Sequence, residues 1–410
     1  MNSDKVILFL SEMPVTNGII QAQMLPVVFE AAKKGYRVKI IETVGRFDSQ
    51  EKYRSELEKK LEENNVEIEK ITVPRHTFLP SIFYFSFRSR RIIKNIIKNS
   101  GDKSFLVYAR NYKFTPLLLW ISRCYKIPFV YSPRGAYVAE RKFYRRIKDI
   151  AYASRIKSLE KKAILKSAAT IFETENFKNH IADSYGIKNA NLTVIPNFYD
   201  ASLLPPSDWN REKMRQKLGI SGKNVIVYAG TVEVWYEFEK MFDLVSRLKK
   251  NDSRIFFQLF LKEDYARDES RDILNNLENR ALKFGLKKGE DFNLSSYPPK
   301  ERYYYLAACD AGICLTTSNE FKTIMMYLKL VDYLGAGLPI IVNQEVLEAK
   351  KIIQEANAGY TVDYNDWEAS VSQIKTESLF DKTNIKRDKI QAYSSEKVIS
   401  LYFDLFASVF

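Results

Sequence analysis

Lys329 and Asp332 stand three residues apart in Lys329-Leu330-Val331-Asp332-Tyr333-Leu334-Gly335-Ala336-Gly337-Leu338-Pro339-Ile340-Ile341. On a helix that spacing puts both side chains on one face. Near a helix N-terminus and a cleft, the lysine meets a diphosphate and the aspartate accepts hydrogen bonds from a ribose diol. The same spacing also suits a surface ion pair worth about a few tenths of a kcal/mol. Tyr228-Ala229-Gly230-Thr231-Val232 follows an apolar run; Gly230 leaves room for a phosphate, and Thr231 adds a hydroxyl and an N–H. In Tyr131-Ser132-Pro133-Arg134-Gly135-Ala136, Arg134 offers a five-donor fork for a phosphate or carboxylate, or pairs with a local acid. Gly18, closing Ser11–Gly18 ahead of a helix, allows close approach of a ligand to free N–H groups, or simply makes a tight turn.

These residues need strand ends and helix starts to hold them. Short apolar runs (Val6–Leu10, Val38–Ile41, Phe105–Tyr108, Phe129–Tyr131, Thr170–Phe172, Leu192–Ile195) alternate with helical patterns. The alternation resumes with Val225–Tyr228, Ile255–Leu261, Ala311–Leu315, Pro339–Val342 and Tyr360–Val362. Non-alternating runs of this length fit strands buried on both faces, and strand–helix alternation implies parallel sheets. The expected fold is α/β, two doubly wound Rossmann-like domains facing a cleft. The boundaries are 1–198, 199–385 and a closing helical segment 386–410, with polar Asp200–Gly222 as linker.

Composition excludes several classes. The chain has 410 residues, three Cys and two His, which leaves no disulfide scaffold and no Cys- or His-based metal cluster. Gly-x-Gly-x-x-Gly is absent, against a nicotinamide or flavin dinucleotide site. No apolar stretch is long enough to span a membrane, so a soluble, cytoplasmic protein is expected. Residues 71–170 carry 22 basic against 4 acidic side chains, whereas residues 201–410 are nearly neutral. A one-signed field of this kind implies a polyanionic partner.

The residues at this point resemble a known family. Lys329 to Ile341 is similar to the Lys-Leu-x-Glu-Tyr-Leu-x-x-Gly-x-Pro-Val-Ile signature of GT-B fold nucleotide-sugar glycosyltransferases of the family-four type. Val194-Ile195-Pro196-Asn197-Phe198-Tyr199-Asp200, Tyr228-Ala229-Gly230-Thr231 with Trp235-Tyr236, Tyr297-Pro298-Pro299 and Leu306-Ala307-Ala308-Cys309-Asp310-Ala311-Gly312 follow in the family's order. Pro133-Arg134-Gly135 resembles the Arg-Gly loop of one branch. The resemblance implies a retaining transferase using a nucleoside diphosphate sugar as co-substrate and no cofactor. By matching positions, Asp332 holds the donor ribose, Gly230, Thr231 and Lys329 surround the diphosphate, and Tyr297 and Pro298 flank the base. A closing C-terminal helix crosses back onto the first domain. Two positions depart from the pattern. Ile324 stands where the family carries a glutamate that contacts the sugar, and Gly230–Tyr236 lacks the usual Arg/Lys pair. Lys262 or Arg134 is the candidate replacement for the missing charge.

Asp-x-Asp occurs nowhere in the chain, so metal-independent catalysis is expected, with cations and N–H groups stabilising the leaving diphosphate. Catalytic candidates are Arg134, Glu140 and Lys329; Gly18 and Arg134 are acceptor-side. Retention proceeds through front-face attack or a carboxylate nucleophile, Glu140 being the first acid to test. Phe78–Lys98 sets Ile92, Ile93, Ile96 and Ile97 against Arg88, Arg90, Arg91, Lys94 and Lys98, and Arg141–Lys148 is a second basic stretch. Such stripes dock on an anionic membrane or pack into a core behind a solvated cationic face. The expected acceptor is a glycan or polyprenyl-diphosphate-linked glycan at the inner face of the cell membrane, in polysaccharide synthesis. Zinc-finger, RNP and basic-zipper patterns are missing, against a nucleic-acid partner. The alternatives are a catalytically altered relative that scaffolds a polysaccharide-assembly complex, and a nucleotide-sugar epimerase.

Overall fold

The structure, a computed structural model, describes residues 4–45, 51–73, 81–101, 103–136, 147–261 and 268–410. The chain divides into two compact units, one of Met1–Pro196 with Glu396–Phe410 and one of Asn197–Ser395. The first break falls after Pro196, and residues 386–395 belong to the second unit. Asp200–Gly222 is not a bare linker. It carries the helix Arg211–Leu218, whose buried Arg215 donates to the Ala308 carbonyl at 2.6 Å and pairs with Asp310 at 3.1 Å.

The first unit is built on a parallel seven-stranded sheet of order β3-β2-β1-β4-β5-β6-β7. The strands are β1 (Lys5–Ser11), β2 (Arg37–Gly45), β3 (Val66–Val73), β4 (Ser104–Arg110), β5 (Phe129–Ser132), β6 (Ala169–Phe172) and β7 (Leu192–Val194). Val6 to Leu10 are inaccessible to solvent, as expected for a central strand covered on both faces. β3 escapes the search for continuous apolar runs because Val66-Glu67-Ile68-Glu69-Lys70-Ile71 alternates. It is an edge strand whose Glu67 pairs across the sheet with Arg37, at 3.2 Å, and with Lys39. The helix Ser395–Val409 buries Tyr402, Phe403 and Phe406 in this unit, Phe406 against Phe9 at 6.4 Å and Tyr402 against Tyr108 at 6.0 Å between ring centroids. In the helix Ser81–Asn99, Ile93 and Ile96 are buried while Arg88, Arg91, Lys94 and Lys98 are exposed. Those two isoleucines serve the core.

The second unit has a parallel six-stranded sheet of order β10-β9-β8-β11-β12-β13. It comprises β8 (Asn224–Gly230), β9 (Ile255–Leu261), β10 (Phe292–Ser295), β11 (Ala311–Cys314), β12 (Ile340–Asn343) and β13 (Gly359–Val362). Alternate residues of β8 enter different apolar clusters, Val225, Val227 and Ala229 one and Ile226 and Tyr228 the other, so both faces are covered. In each unit the strand order reverses once, between β1 and β4 and between β8 and β11. Ligands bind open α/β sheets beyond the strand carboxyl ends at such reversals. Among the described residues no helix is long and apolar enough to cross a membrane.

Candidate active site

Gly230 ends β8 with φ of +138°, an angle that side-chain-bearing residues rarely adopt. A Cβ there would lie 2.7 Å from both Cε and Nζ of Lys329, so the bare glycine lets that lysine lie over the strand end. Lys329 is the second residue of the helix Leu328–Gly335, whose N-terminus has no side-chain cap. Its Nζ donates to Tyr236 Oη at 2.8 Å and stands 4.1 Å from that ring and 5.1 Å from the Tyr228 ring. The Tyr228 hydroxyl donates to the Thr231 carbonyl at 2.6 Å, which holds the turn after Gly230. Gly230, Thr231 and Lys329 therefore meet at one strand end beside the β8/β11 reversal. A cation, an open glycine turn and an uncapped helix start suit an anionic group.

A second ammonium group stands nearby. Lys322, in the helical turn Glu320–Thr323, lies 3.9 Å over the Trp235 ring and 5.7 Å from that of Tyr327. Burial pushes the Cys314 thiol, at the end of β11, up to about 11, while Lys329 and Lys322 pull the other way. Both lysines thus act on the same strand end. Sequence reading missed Lys322, because nothing in its spacing separates it from a surface lysine. The expected sugar-contact position, Ile324, is a buried apolar residue.

Asp332 turns from Lys329 to other partners. Its Oδ1 accepts from Tyr303 Oη at 2.8 Å, and its Oδ2 lies 3.4 Å from Arg302 Nη1. Among the described residues no ion pair joins Asp332 to Lys329. Burial opposes the Arg302 charge, but Asp332, Tyr303 and Tyr297 together outweigh it, and the guanidinium titrates above its ordinary range. Tyr297 packs on Phe260 at 5.5 Å and Tyr305 at 5.8 Å. Its phenol titrates above its ordinary range, through burial first and the Asp332 charge second. Pro298 follows it, exposed, ahead of the 3-10 turn Pro299–Glu301. Tyr297 and Asp332 share one neighbourhood, whereas Arg302 and Tyr303 carried no mark in the sequence beyond a helical pattern.

In the first unit, Arg134 follows β5, and its fork is engaged by neighbouring side chains. Nη1 pairs with Glu173 at 3.2 Å and Nη2 donates to Tyr402 Oη at 2.9 Å. Glu173 follows β6, the neighbour of β5, so adjacent strand ends bring the acid to the arginine. Burial opposes the Arg134 charge, but Tyr402, Tyr108 and Glu173 outweigh it. Gly18 opens the short helix Gly18–Gln23 beside its N-cap Asn17, whose side chain accepts from Ile19 N–H at 2.9 Å. Glu140, Lys262 and most of the Arg141–Lys148 stretch lie outside the described residues.

Two parallel α/β units, each with a single strand-order reversal, are the architecture of the GT-B class. Family models match in tandem, Glycosyltransferase Family 4 over residues 27–203 and Glycosyl transferases group 1 over residues 210–396. Similar folds include a glycosyltransferase from Rickettsia africae ESF-5, at 14% identity and TM-score 0.71 over 99% of this chain and 98% of that one. HepE from Anabaena in complex with UDP-glucose is similar at 14% identity and TM-score 0.70, over 98% and 99% of the two chains. Sucrose-phosphate synthase from Thermosynechococcus elongatus is similar at 12% identity and TM-score 0.71, over 98% and 100%. In sequence, mannosylfructose-phosphate synthase of Agrobacterium fabrum is 27% identical over 108 residues, 26% of this chain and 24% of that protein. The match therefore spans about a quarter of that relative's length. The chain belongs to the GT-B glycosyltransferases of the family-four type.

Proposed function

We propose that this glycosyltransferase moves a sugar, with retention and without a metal, from a nucleoside diphosphate sugar to a glycan or polyprenyl-diphosphate-linked acceptor in polysaccharide synthesis. The observation that carries the reading is Lys329 Nζ seated over Gly230 at the β8 end, on the same helix as Asp332. Lys329 and Lys322 meet the negative charge that grows on the leaving diphosphate as the anomeric C–O bond breaks. Fixed cations in a partly dried site do this without reorganising. Lys322 supplies the charge that Gly230–Tyr236 lacks, a job Arg134 cannot share while held by Glu173. In front-face attack the acceptor oxygen bonds to the anomeric carbon, and its proton passes to the departing phosphate oxygen. Asp332, flanked by Tyr297, takes the ribose hydroxyls. The structures of HepE with UDP-glucose and of an E. coli protein with UDP-2-fluoro glucose support a nucleotide-sugar donor. For the membrane side, the exposed face of Ser81–Asn99 presents Arg88, Arg91, Lys94 and Lys98 beside Phe87, which is 75% exposed. That is a basic surface with an apolar anchor.

A thermal-shift panel of UDP, GDP, CDP and ADP tests the donor. One of them, at about 100 times its Kd, raises stability by about 2.7 kcal/mol, and no shift with any overturns the reading. Turnover in excess chelator tests the metal, and the anomeric configuration of the product tests retention.

A further inference from the structure

The Tyr303 hydroxyl sits at a junction whose proton has a single destination. It lies within 3.0 Å of the Asp200 backbone N and 3.1 Å of Arg302 Nη2, and 2.8 Å from Asp332 Oδ1. The first two groups can only donate, so they take up the two lone pairs of the phenol oxygen, and the phenol hydrogen must go to Asp332. The ring is inaccessible to solvent, with the Arg302 guanidinium 4.6 Å from its centroid. Burial, then the Asp332 charge, holds the phenol far above its ordinary titration range. Oδ1 is thereby pinned. Oδ2 has Arg302 Nη1 only at 3.4 Å, longer than a good hydrogen bond. A carboxylate offers about four acceptor positions, so the free ones have fixed directions, centred on Oδ2.

We infer that Tyr303 is a positioning residue for donor recognition: its hydroxyl holds the Asp332 carboxylate in the one orientation that leaves acceptor positions for a vicinal diol and keeps Arg302 from closing on it. The inference rests on the proposed contact between Asp332 and the donor ribose. Without the hydroxyl, the carboxylate is free to turn into a two-point pair with the Arg302 fork, the preferred geometry of that pair. The acceptor positions are then lost to the arginine.

The test measures, by calorimetry, the Kd of the nucleoside diphosphate selected by the thermal-shift panel and of its 2′,3′-dideoxy counterpart. The proteins are the wild type, Asp332→Asn, Tyr303→Phe and Arg302→Gln. The wild type prefers the ribose form by about tenfold, the worth of one charge-assisted hydrogen bond. Tyr303→Phe reduces that preference to about twofold while the dideoxy affinity stays within about twofold of wild type. A merely structural role for Tyr303 would weaken both ligands alike. Arg302→Gln keeps the preference, because the phenol still pins the carboxylate. This variant decides the matter if Tyr303→Phe does not fold, since a collapse there makes Arg302 the positioner. A wild type without preference, or binding no diphosphate, overturns the Asp332–ribose reading and the inference with it. A preference lost in Asp332→Asn but retained in Tyr303→Phe overturns the inference alone.

Discussion

A methyl group built on Gly230 would lie 2.7 Å from Lys329 Nζ. Glycine and lysine are 99 positions apart in the chain, yet the lysine's place depends on the glycine. Gly230→Ala displaces Nζ from Tyr236 Oη and forces alanine to a φ of +138°. The expected result is a stability loss above about 1 kcal/mol and diphosphate affinity weakened at least about tenfold. Gly222→Ala is the control: its φ is +71°, but nothing lies within 4 Å of the added Cβ, so stability falls and affinity does not. Equal binding by Gly230→Ala and wild type would remove the lysine from the diphosphate.

Arg134 predicts a stability effect confined to the first unit. Arg134→Met removes the ion pair to Glu173, which is 5% exposed, and takes the Nη2 donor from Tyr402. Breaking such a pair costs about 3–5 kcal/mol, while Tyr402→Phe costs about 1 kcal/mol. Denaturant titration measures both. Calorimetry with the nucleoside diphosphate should give unchanged affinity, and a stable Arg134→Met protein that binds no acceptor would restore the arginine to ligand binding.

The Cys314 thiol gives a pH signature. Unfolded, it titrates near about 8.5; folded, burial pushes it up to about 11. A folded value above the unfolded one means that the contribution is complete below about pH 8.5 and is lost as pH rises towards about 11. The stability margin of wild type over Cys314→Ala should therefore shrink by about 2–3 kcal/mol across that window. A margin independent of pH between 9 and 11 would refute the burial argument.

Membrane docking is read from flotation. Vesicles containing phosphatidylserine should carry the protein at low salt, and neutral vesicles should not. Phe87→Ser combined with Arg88→Ser and Arg91→Ser should lower recovery severalfold without moving the melting midpoint, since all three side chains are exposed. Equal recovery from both vesicle types would sink the proposal.

The central strands were legible because they read as short, mostly apolar runs, as in Ile255–Leu261. Of the four edge strands, β7 and β13 were legible and β3 and β10 were not. β3 alternates charge with apolar residues, and β10 sets Asn293 and Ser295 against Phe292 and Leu294, so neither looks buried on both faces. Gly230 and Lys329 were legible as motif residues. Arg302 and Tyr303 were not, because three consecutive tyrosines (Tyr303, Tyr304, Tyr305) on a short helix do not reveal which one meets an aspartate.

Composition and periodicity alone determine two parallel α/β units, a basic first half and a lysine–aspartate pair on one helix, since these depend only on residue type and spacing. Partnership is another matter. That Lys329 reaches Tyr236 while Asp332 turns to Tyr303, and that Arg134 pairs with Glu173, was decided by which strand ends and helices became neighbours. Hydrogen bonds and ion pairs act over about 3 Å, a range within which distance along the chain carries no information.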